Sequence, residues 1–275
     1  MFGAPLRSTI LAFMAMRPLT AALLVGLLLP LQTEAQKSPS ALRIQPEAQR
    51  ILTAMSDYLR TSRSFRFEVE SLHDDVLPSG QKIMIASSNE VSLRRPERFY
   101  VNHLSDAGRR QLWFDGNNIS LLDPEHQTFA QEPFSGNTDK ALEHLMKALH
   151  FTPPLADFLF ENPAAALLKH TLHGFVVGQT QVEDHPAVQL AFVDRYVDWQ
   201  IWIQTSPIPV PLRLVITYKT IQGSPQYIAR FTRWDFTTRL PDSLFQPVLP
   251  QGSRAIPFMK SEGPRSGALS RRTPP

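Results

Sequence analysis

The chain contains no cysteine among its 275 residues. This absence excludes disulfide bonds, thiolate nucleophiles, iron–sulfur clusters and zinc sites built from cysteine. It also excludes a lipid anchor attached to a cysteine after an N-terminal apolar segment. An exported chain of this size without disulfides must therefore be held together by its hydrophobic core.

The centre of the chain also lacks an excess of charge of either sign. Residues 36–260 contain 23 basic and 23 acidic side chains, so the basic balance of the whole sequence comes from its two ends. A protein that binds nucleic acid needs a concentrated basic face. We therefore predict no nucleic-acid partner.

Sequence signatures of catalysis and metal binding are lacking as well. There is no Gly-X-Ser-X-Gly motif for a hydrolase nucleophile, and the glycines form no phosphate-binding loop. Histidines occur beside acidic residues at 73–75 and 183–185, and two histidines lie close together at 170 and 173. None has the converging spacing of a zinc site. We predict no catalytic residues, no metal and no cofactor.

The first 35 residues have the pattern of a secretory signal peptide. Arg7 and Arg17 precede an apolar run that ends at Leu31, and small residues up to Ala35 offer a cleavage point. A membrane anchor is one alternative, but Arg17-Pro18 shortens the apolar run below the ~20 residues that span a bilayer. A buried helix is another. We expect a periplasmic protein, with residues 36–45 as a linker and 261–275 as a disordered tail.

Most of the remaining chain alternates apolar and polar residues with a period of two, which is typical of β-strands. The pattern is clearest over residues 197–236, where turns containing proline or glycine separate three such segments. Similar segments begin at Ser64, and Asp115-Gly116 between two of them predicts a tight hairpin. Short strands at close spacing favour one antiparallel sheet of about ten strands.

Helical periodicity is confined to two regions of the sequence. Pro46 begins a segment with apolar residues at 51, 52, 55 and 59, and residues 137–169 contain three short helical pieces. A sheet of ten strands tends to curl, and only these helices are available to cover its apolar side. The predicted fold is α+β: a single curved antiparallel sheet forming a half-open barrel with a helical lid, within residues 46–260.

Seven short motifs carry a resemblance to a known family. They are Gly80–Ile83, Arg95–Arg98, Leu112–Gly116, Pro154–Asp157, Asp198–Ile203, Leu214–Lys219 and Gly223–Tyr227. Together they resemble a family of predicted bacterial periplasmic proteins of unknown function, over about residues 46–258. That family is similar to the outer-membrane lipoprotein carriers of the LolA/LolB architecture, in which a curved sheet and helices enclose an apolar cavity for acyl chains. The resemblance implies a fold more than an activity.

This resemblance implies a periplasmic binder or carrier of an apolar ligand, a lipid or an acylated molecule, between sheet and helices. Such binding needs no catalytic group, because each CH₂ removed from water contributes ~0.8 kcal/mol. The alternative is a sensor or assembly partner that contacts an envelope protein or a membrane surface; an exported hydrolase is third. The predicted cavity wall consists of Phe65, Phe67, Val69, Ile83, Ile85, Leu112, Phe114, Trp199, Ile201, Leu214, Ile216 and Phe231 in the sheet, and of Leu142, Leu145, Met146 and Phe158 in the lid.

Three tryptophans interrupt the alternation. The residues two positions from Trp113, Trp202 and Trp234 along each strand are mostly polar. Because residues two apart lie on the same face of a strand, this predicts that the three rings lie on the water-facing side of the sheet. Two interpretations are open. Either a helix or loop covers these rings, or they form an outer contact patch for a partner, since exposed aromatic side chains favour interfaces.

Overall fold

The computed structural model describes residues 43–258, apart from residues 150, 152 and 154. The predicted signal peptide, the disordered tail and most of the linker lie outside these residues. The end of the linker lies within them. Ile44 forms a parallel bridge with Gly174, and the N–H of Gln45 donates a hydrogen bond to the Gly174 carbonyl at 2.8 Å.

Within the described residues, the chain folds into three α-helices and twelve β-strands. The helices are α1 (Pro46–Thr61), α2 (Thr138–Lys147) and α3 (Pro163–Leu168), and two short 3₁₀ turns lie at Ala156–Phe158 and Asp242–Phe245. The strands are β1 (Ser64–Val76), β2 (Lys82–Arg94), β3 (Arg98–Ser105), β4 (Gly108–Phe114), β5 (Asn118–Asp123), β6 (Thr128–Pro133), β7 (Thr171–Val182), β8 (His185–Asp194), β9 (Val197–Gln204), β10 (Pro211–Tyr218), β11 (Gln226–Asp235) and β12 (Arg254–Ala255).

All twelve strands belong to one sheet, in the order β12-β6-β5-β4-β3-β2-β1-β11-β10-β9-β8-β7. Every neighbouring pair is antiparallel except β12, which pairs with β6 in parallel. The two outer strands, β12 and β7, do not pair with each other, so the sheet is open. The predicted single antiparallel sheet is confirmed, with twelve strands instead of about ten, and β12 was not predicted.

The Asp115-Gly116 pair makes the predicted hairpin between β4 and β5. One carboxylate oxygen of Asp115 accepts hydrogen bonds from the N–H groups of Asn117 at 2.8 Å and Asn118 at 2.7 Å. Gly116 has a φ of +98°, which a residue with a Cβ rarely adopts. The local sequence thus dictates this turn.

One side of the sheet packs against the helices, and we call it the helix-covered face. The core includes residues of β1–β5 and β8–β11 together with buried residues of all three helices. In α1 the residues that face the core are Ala48, Leu52, Met55 and Leu59, the predicted helical stripe. Strands this far apart share one core because the sheet curves around the helices. We call the other side the open face.

A β-bulge in β11 changes the position of one tryptophan. Glu68 pairs with Arg233 and Val69 with Phe231, so Thr232 is an extra residue in the strand. The alternation shifts by one, and Trp234 therefore lies opposite Phe67 on the helix-covered face. Its ring is 4.6 Å from that of Phe67, and its Nε1–H donates to the Pro211 carbonyl at 2.9 Å. The predicted water-facing position of Trp234 was wrong.

Candidate functional site

The residues predicted to line a cavity come together on the helix-covered face. Twelve of the sixteen are buried in the core, and Met146 and Ile216 pack against it. Ile83 and Ile85 lie on the same face but outside this core, toward the tip of the β1–β2 hairpin. Phe158 of the first 3₁₀ turn packs edge-on against Phe231 of β11, with ring centroids 5.3 Å apart.

These core residues pack against one another in this structure. Phe114, Leu142, Leu145, Phe158 and Ile201 have no surface accessible to water. A side chain beside a void large enough for water would show accessible surface there, so these five touch neither solvent nor such a void. The packing resembles that of ordinary protein interiors. Ligand binding between sheet and helices stays a prediction.

The open face carries a row of apolar side chains at positions where the alternation calls for polar residues. Leu72 of β1 pairs with Ala86 of β2 on one side and with Ile228 of β11 on the other, and Ile228 pairs with Val215 of β10. The row therefore runs across four adjacent strands. Leu72 is 38% exposed. Solvent-facing apolar residues in such a continuous row indicate a binding surface.

A groove of about 800 Å³ lies over this row. Leu104 of β3 and Trp202 of β9 stand at its two ends, and Glu70, Asp106, Arg213 and Arg230 contribute charged groups. The volume falls within the range of pockets that bind small molecules. The groove is thus large enough, and apolar enough along its floor, for an acyl chain.

Two arginines beside the groove differ in their partners. Arg230 pairs with Glu70 at 2.5 Å and with Glu183. Arg213 has no carboxylate within salt-bridge distance among the described residues, and its guanidinium lies 5.6 Å from the centre of the Trp202 ring. The two arginines are cross-strand neighbours. Because carboxylates neutralise Arg230, the positive charge beside the apolar row of the groove comes from Arg213.

The C-terminal segment covers another part of the open face. Arg94 of β2 donates hydrogen bonds to the Leu240 carbonyl at 2.8 Å and to Asp242 at 2.5 Å. Its guanidinium also lies over the Phe245 ring, and the 3₁₀ turn Asp242–Phe245 contacts β3. Trp113, on the open face of β4, stacks on Tyr100 and is only 4% exposed. Trp113 is therefore a covered ring, whereas Trp202 lines the groove.

None of the groove residues was predicted as a site residue, although an outer contact patch was one of the two interpretations open for Trp202. Leu72, Val215 and Ile228 lie on three different strands, each among the polar residues that alternate with the buried ones. A single apolar residue at such a position is common on protein surfaces and predicts no site. Their grouping depends on the register between strands.

Within the described residues, no group of three or more His, Asp or Glu side chains is arranged to hold a metal ion. No described helix has the length and apolar character needed to cross a membrane.

Residues 48–259 match the family described as "Predicted periplasmic protein (DUF2092)". The chain belongs to this family. The resemblance inferred from the sequence motifs is thereby confirmed, and with it the predicted periplasmic location. No match is found among curated proteins.

Several solved structures show a general likeness to this family member. An uncharacterised conserved protein from Thermus thermophilus is 11% identical, with a TM-score of 0.47, over 77% of this chain and 99% of that one. The lipoprotein LppX from Mycobacterium tuberculosis is 11% identical, with a TM-score of 0.43, over 72% and 100%. A LolA superfamily protein from Nitrosomonas europaea is 14% identical, with a TM-score of 0.37, over 73% and 97%. At these values the likeness indicates neither a ligand nor an activity.

Proposed function

We propose that this periplasmic protein binds an apolar ligand with an anionic end, such as an acyl chain carrying a carboxylate, in the groove on the open face. The observation that carries this proposal is the apolar row Ala86–Leu72–Ile228–Val215 beside Arg213, which pairs with no carboxylate of the described residues. An apolar or acylated ligand is the class expected from the sequence, whereas the anionic end and the location on the opposite face of the sheet are new. Binding of this kind requires no catalytic group.

The groove gives a definite expectation for the strength of binding. A fully buried CH₂ contributes ~0.8 kcal/mol, and an open groove covers about half of a chain's surface, so each CH₂ contributes about 0.4 kcal/mol. That corresponds to about a twofold gain in affinity per CH₂. Such a modest increment suits a protein that must also release its ligand.

The first test measures binding of a fluorescent dansyl-labelled fatty acid to the purified protein. Replacing Ile228 by Gln puts an amide in the middle of the apolar row, and we expect affinity to fall about tenfold, since ~1.4 kcal/mol of apolar contact is lost. Ile221→Gln is the matched control, because Ile221 is 50% exposed in the turn between β10 and β11 and does not line the groove. Equal affinity of the two variants for the fatty acid would show that the ligand does not bind in the groove.

The second test concerns the anionic end of the ligand. Arg213→Gln should weaken binding of saturated fatty acids of eight to twelve carbons about fivefold and leave binding of their methyl esters unchanged, because only the acid pairs with the guanidinium. Native mass spectrometry of protein isolated from the periplasm provides an independent check. Lipid that co-purifies with the wild type and not with Ile228→Gln supports the proposal, whereas lipid-free wild type contradicts it.

A further inference from the structure

A second cavity borders the groove. It lies where the turn between β7 and β8, the loop between β9 and β10 and the end of β11 come together, and its volume is about 450 Å³. Within the part of the chain that the structure describes, Arg230 alone lines both the groove and this second cavity. The volume lies in the range of pockets that hold small molecules. The second cavity therefore has room for a ligand group of its own.

Arg230 lies at the boundary between the two cavities. On one side it pairs at 2.5 Å with Glu70 of β1, which lines the groove, and on the other side it pairs with Glu183, which lines the second cavity. Glu183 lies in the turn between β7 and β8, and its φ of +53° is uncommon for a residue other than glycine. In the sheet, β8 and β11 are three strands apart. The turn thus curls across the neighbouring strands to reach Arg230.

The wall of the second cavity is largely apolar. Val182, Val210 and Leu212 line it and form a small hydrophobic cluster of their own. Ile208, in the loop between β9 and β10, also lines the cavity and is 46% exposed. Covering such surface with an apolar group of a ligand removes both from water, which is favourable. The second cavity therefore suits an apolar group, as the floor of the groove does.

Arg213, which holds the anionic end of the ligand in the proposed function, lies close to the same boundary. It is paired directly with Arg230 across β10 and β11, which places the two Cα atoms about 4.5–5.5 Å apart. Along β10, Leu212 precedes Arg213 and lines the second cavity, whereas Val215 follows Arg213 and lines the groove. An anionic group at Arg213 thus has apolar surface on both sides.

We propose that the ligand has two apolar chains joined at one anionic group, as in a diacyl glycerophosphate, with one chain in the groove and the other in the second cavity. This inference rests on the function proposed above and adds the number of chains to it. A fatty acid fills only the groove, because its carboxylate is the end of the molecule. A phosphate attached to diacylglycerol sends one chain to each side of Arg213.

The test compares two soluble probes, dioctanoyl phosphatidate and octanoyl lysophosphatidate, which carry two chains and one chain on the same phosphate head group. Displacement of the dansyl-labelled fatty acid from the groove measures the affinity of each probe. We expect the two-chain probe to bind the wild-type protein about tenfold more tightly, because the CH₂ groups of its second chain also leave water. Equal affinities, or no displacement by either probe, would overturn the inference.

Ile208→Gln places an amide in the wall of the second cavity. Because Ile208 is 46% exposed, the variant should fold like the wild type. We expect its affinity for the two-chain probe to fall about fivefold and its affinity for the one-chain probe to stay unchanged. Ile221→Gln is the matched control, since Ile221 is 50% exposed and lines neither cavity. Equal affinity of these two variants for the two-chain probe would show that the second cavity holds no chain.

Ile228→Gln distinguishes a failure of this inference from a failure of the proposed function. Because both probes place a chain in the groove, this variant should bind both more weakly than the wild type. If it binds both as tightly as the wild type, the groove is not the binding site and the proposed function fails. If it weakens both while Ile208→Gln weakens neither, or weakens both equally, the groove binds a chain and only the two-chain inference fails.

Discussion

Truncation of Leu145 to alanine tests whether the face between sheet and helices is a packed core or a ligand cavity. Leu145 of α2 has no accessible surface and belongs to the main core. Leucine-to-alanine changes at such positions cost about 2–5 kcal/mol, because the lost transfer free energy is joined by the cost of an unfilled cavity. We expect Leu145→Ala to lower the free energy of unfolding by about 3 kcal/mol.

Leu72→Ala is the matched control on the open face. Leu72 is 38% exposed, so its truncation loses only part of the transfer free energy and leaves no enclosed cavity. We expect a loss of about 1 kcal/mol.

Urea unfolding followed by circular dichroism measures both variants. With an m-value of about 3 kcal/mol/M, the midpoint should fall by about 1 M urea for Leu145→Ala and by about 0.3 M for Leu72→Ala. If the two variants lose the same stability, α2 is not packed as the structure shows. The space between sheet and helices would then again be the better candidate for a ligand cavity.

Two further predictions concern polar groups inside the fold. Ser56 of α1 donates to Asn162 Oδ1 at 3.2 Å and accepts from the N–H of Ala164 at 3.0 Å. Ser56→Ala should lower the free energy of unfolding in urea by about 1–3 kcal/mol, because the buried N–H of Ala164 loses its partner. A loss no larger than that of the exposed Ser79→Ala would contradict this prediction. The folded-state pKa of His103 is lowered below its ordinary value of 6.5, so the unfolded chain binds the proton more readily and stability falls as pH drops through 6.5. In thermal unfolding, the stability advantage of the wild type over His103→Gln should therefore shrink as the pH is lowered from about 7.5 to about 5.5. A difference that does not change with pH would show that the pKa of His103 is not lowered in the folded protein.

Local patterns in the sequence predicted most of the individual elements. The alternation in β1, β9 and β11 and the apolar stripe of α1 each follow from the requirement that one face of an element be buried. The Asp115-Gly116 hairpin and the Asn137 cap of α2, whose side chain accepts from the N–H of Lys140, depend on residues only a few positions apart. These features were predicted correctly because the interactions that create them are local.

The failures share a different cause. Thr232 looks like any other strand residue, yet as the extra residue of a bulge it moves Trp234 from one face of the sheet to the other. The prediction assumed an uninterrupted period of two. A bulge is set by the pairing with β1, a strand about 165 residues earlier in the chain.

By itself, the sequence determined the antiparallel sheet and the helices that cover one side of it, because hydrophobic periodicity and turn chemistry act over a few residues. Its motifs also indicated the periplasmic family. Only the tertiary structure decided where free apolar surface remains. The core beneath the helices is packed because the side chains of α2 and of the turn Ala156–Phe158 pack against the sheet, and volume filling cannot be read from a pattern of apolar residues. The groove exists because strand register places Leu72, Ile228 and Val215 side by side, although they are far apart in the chain.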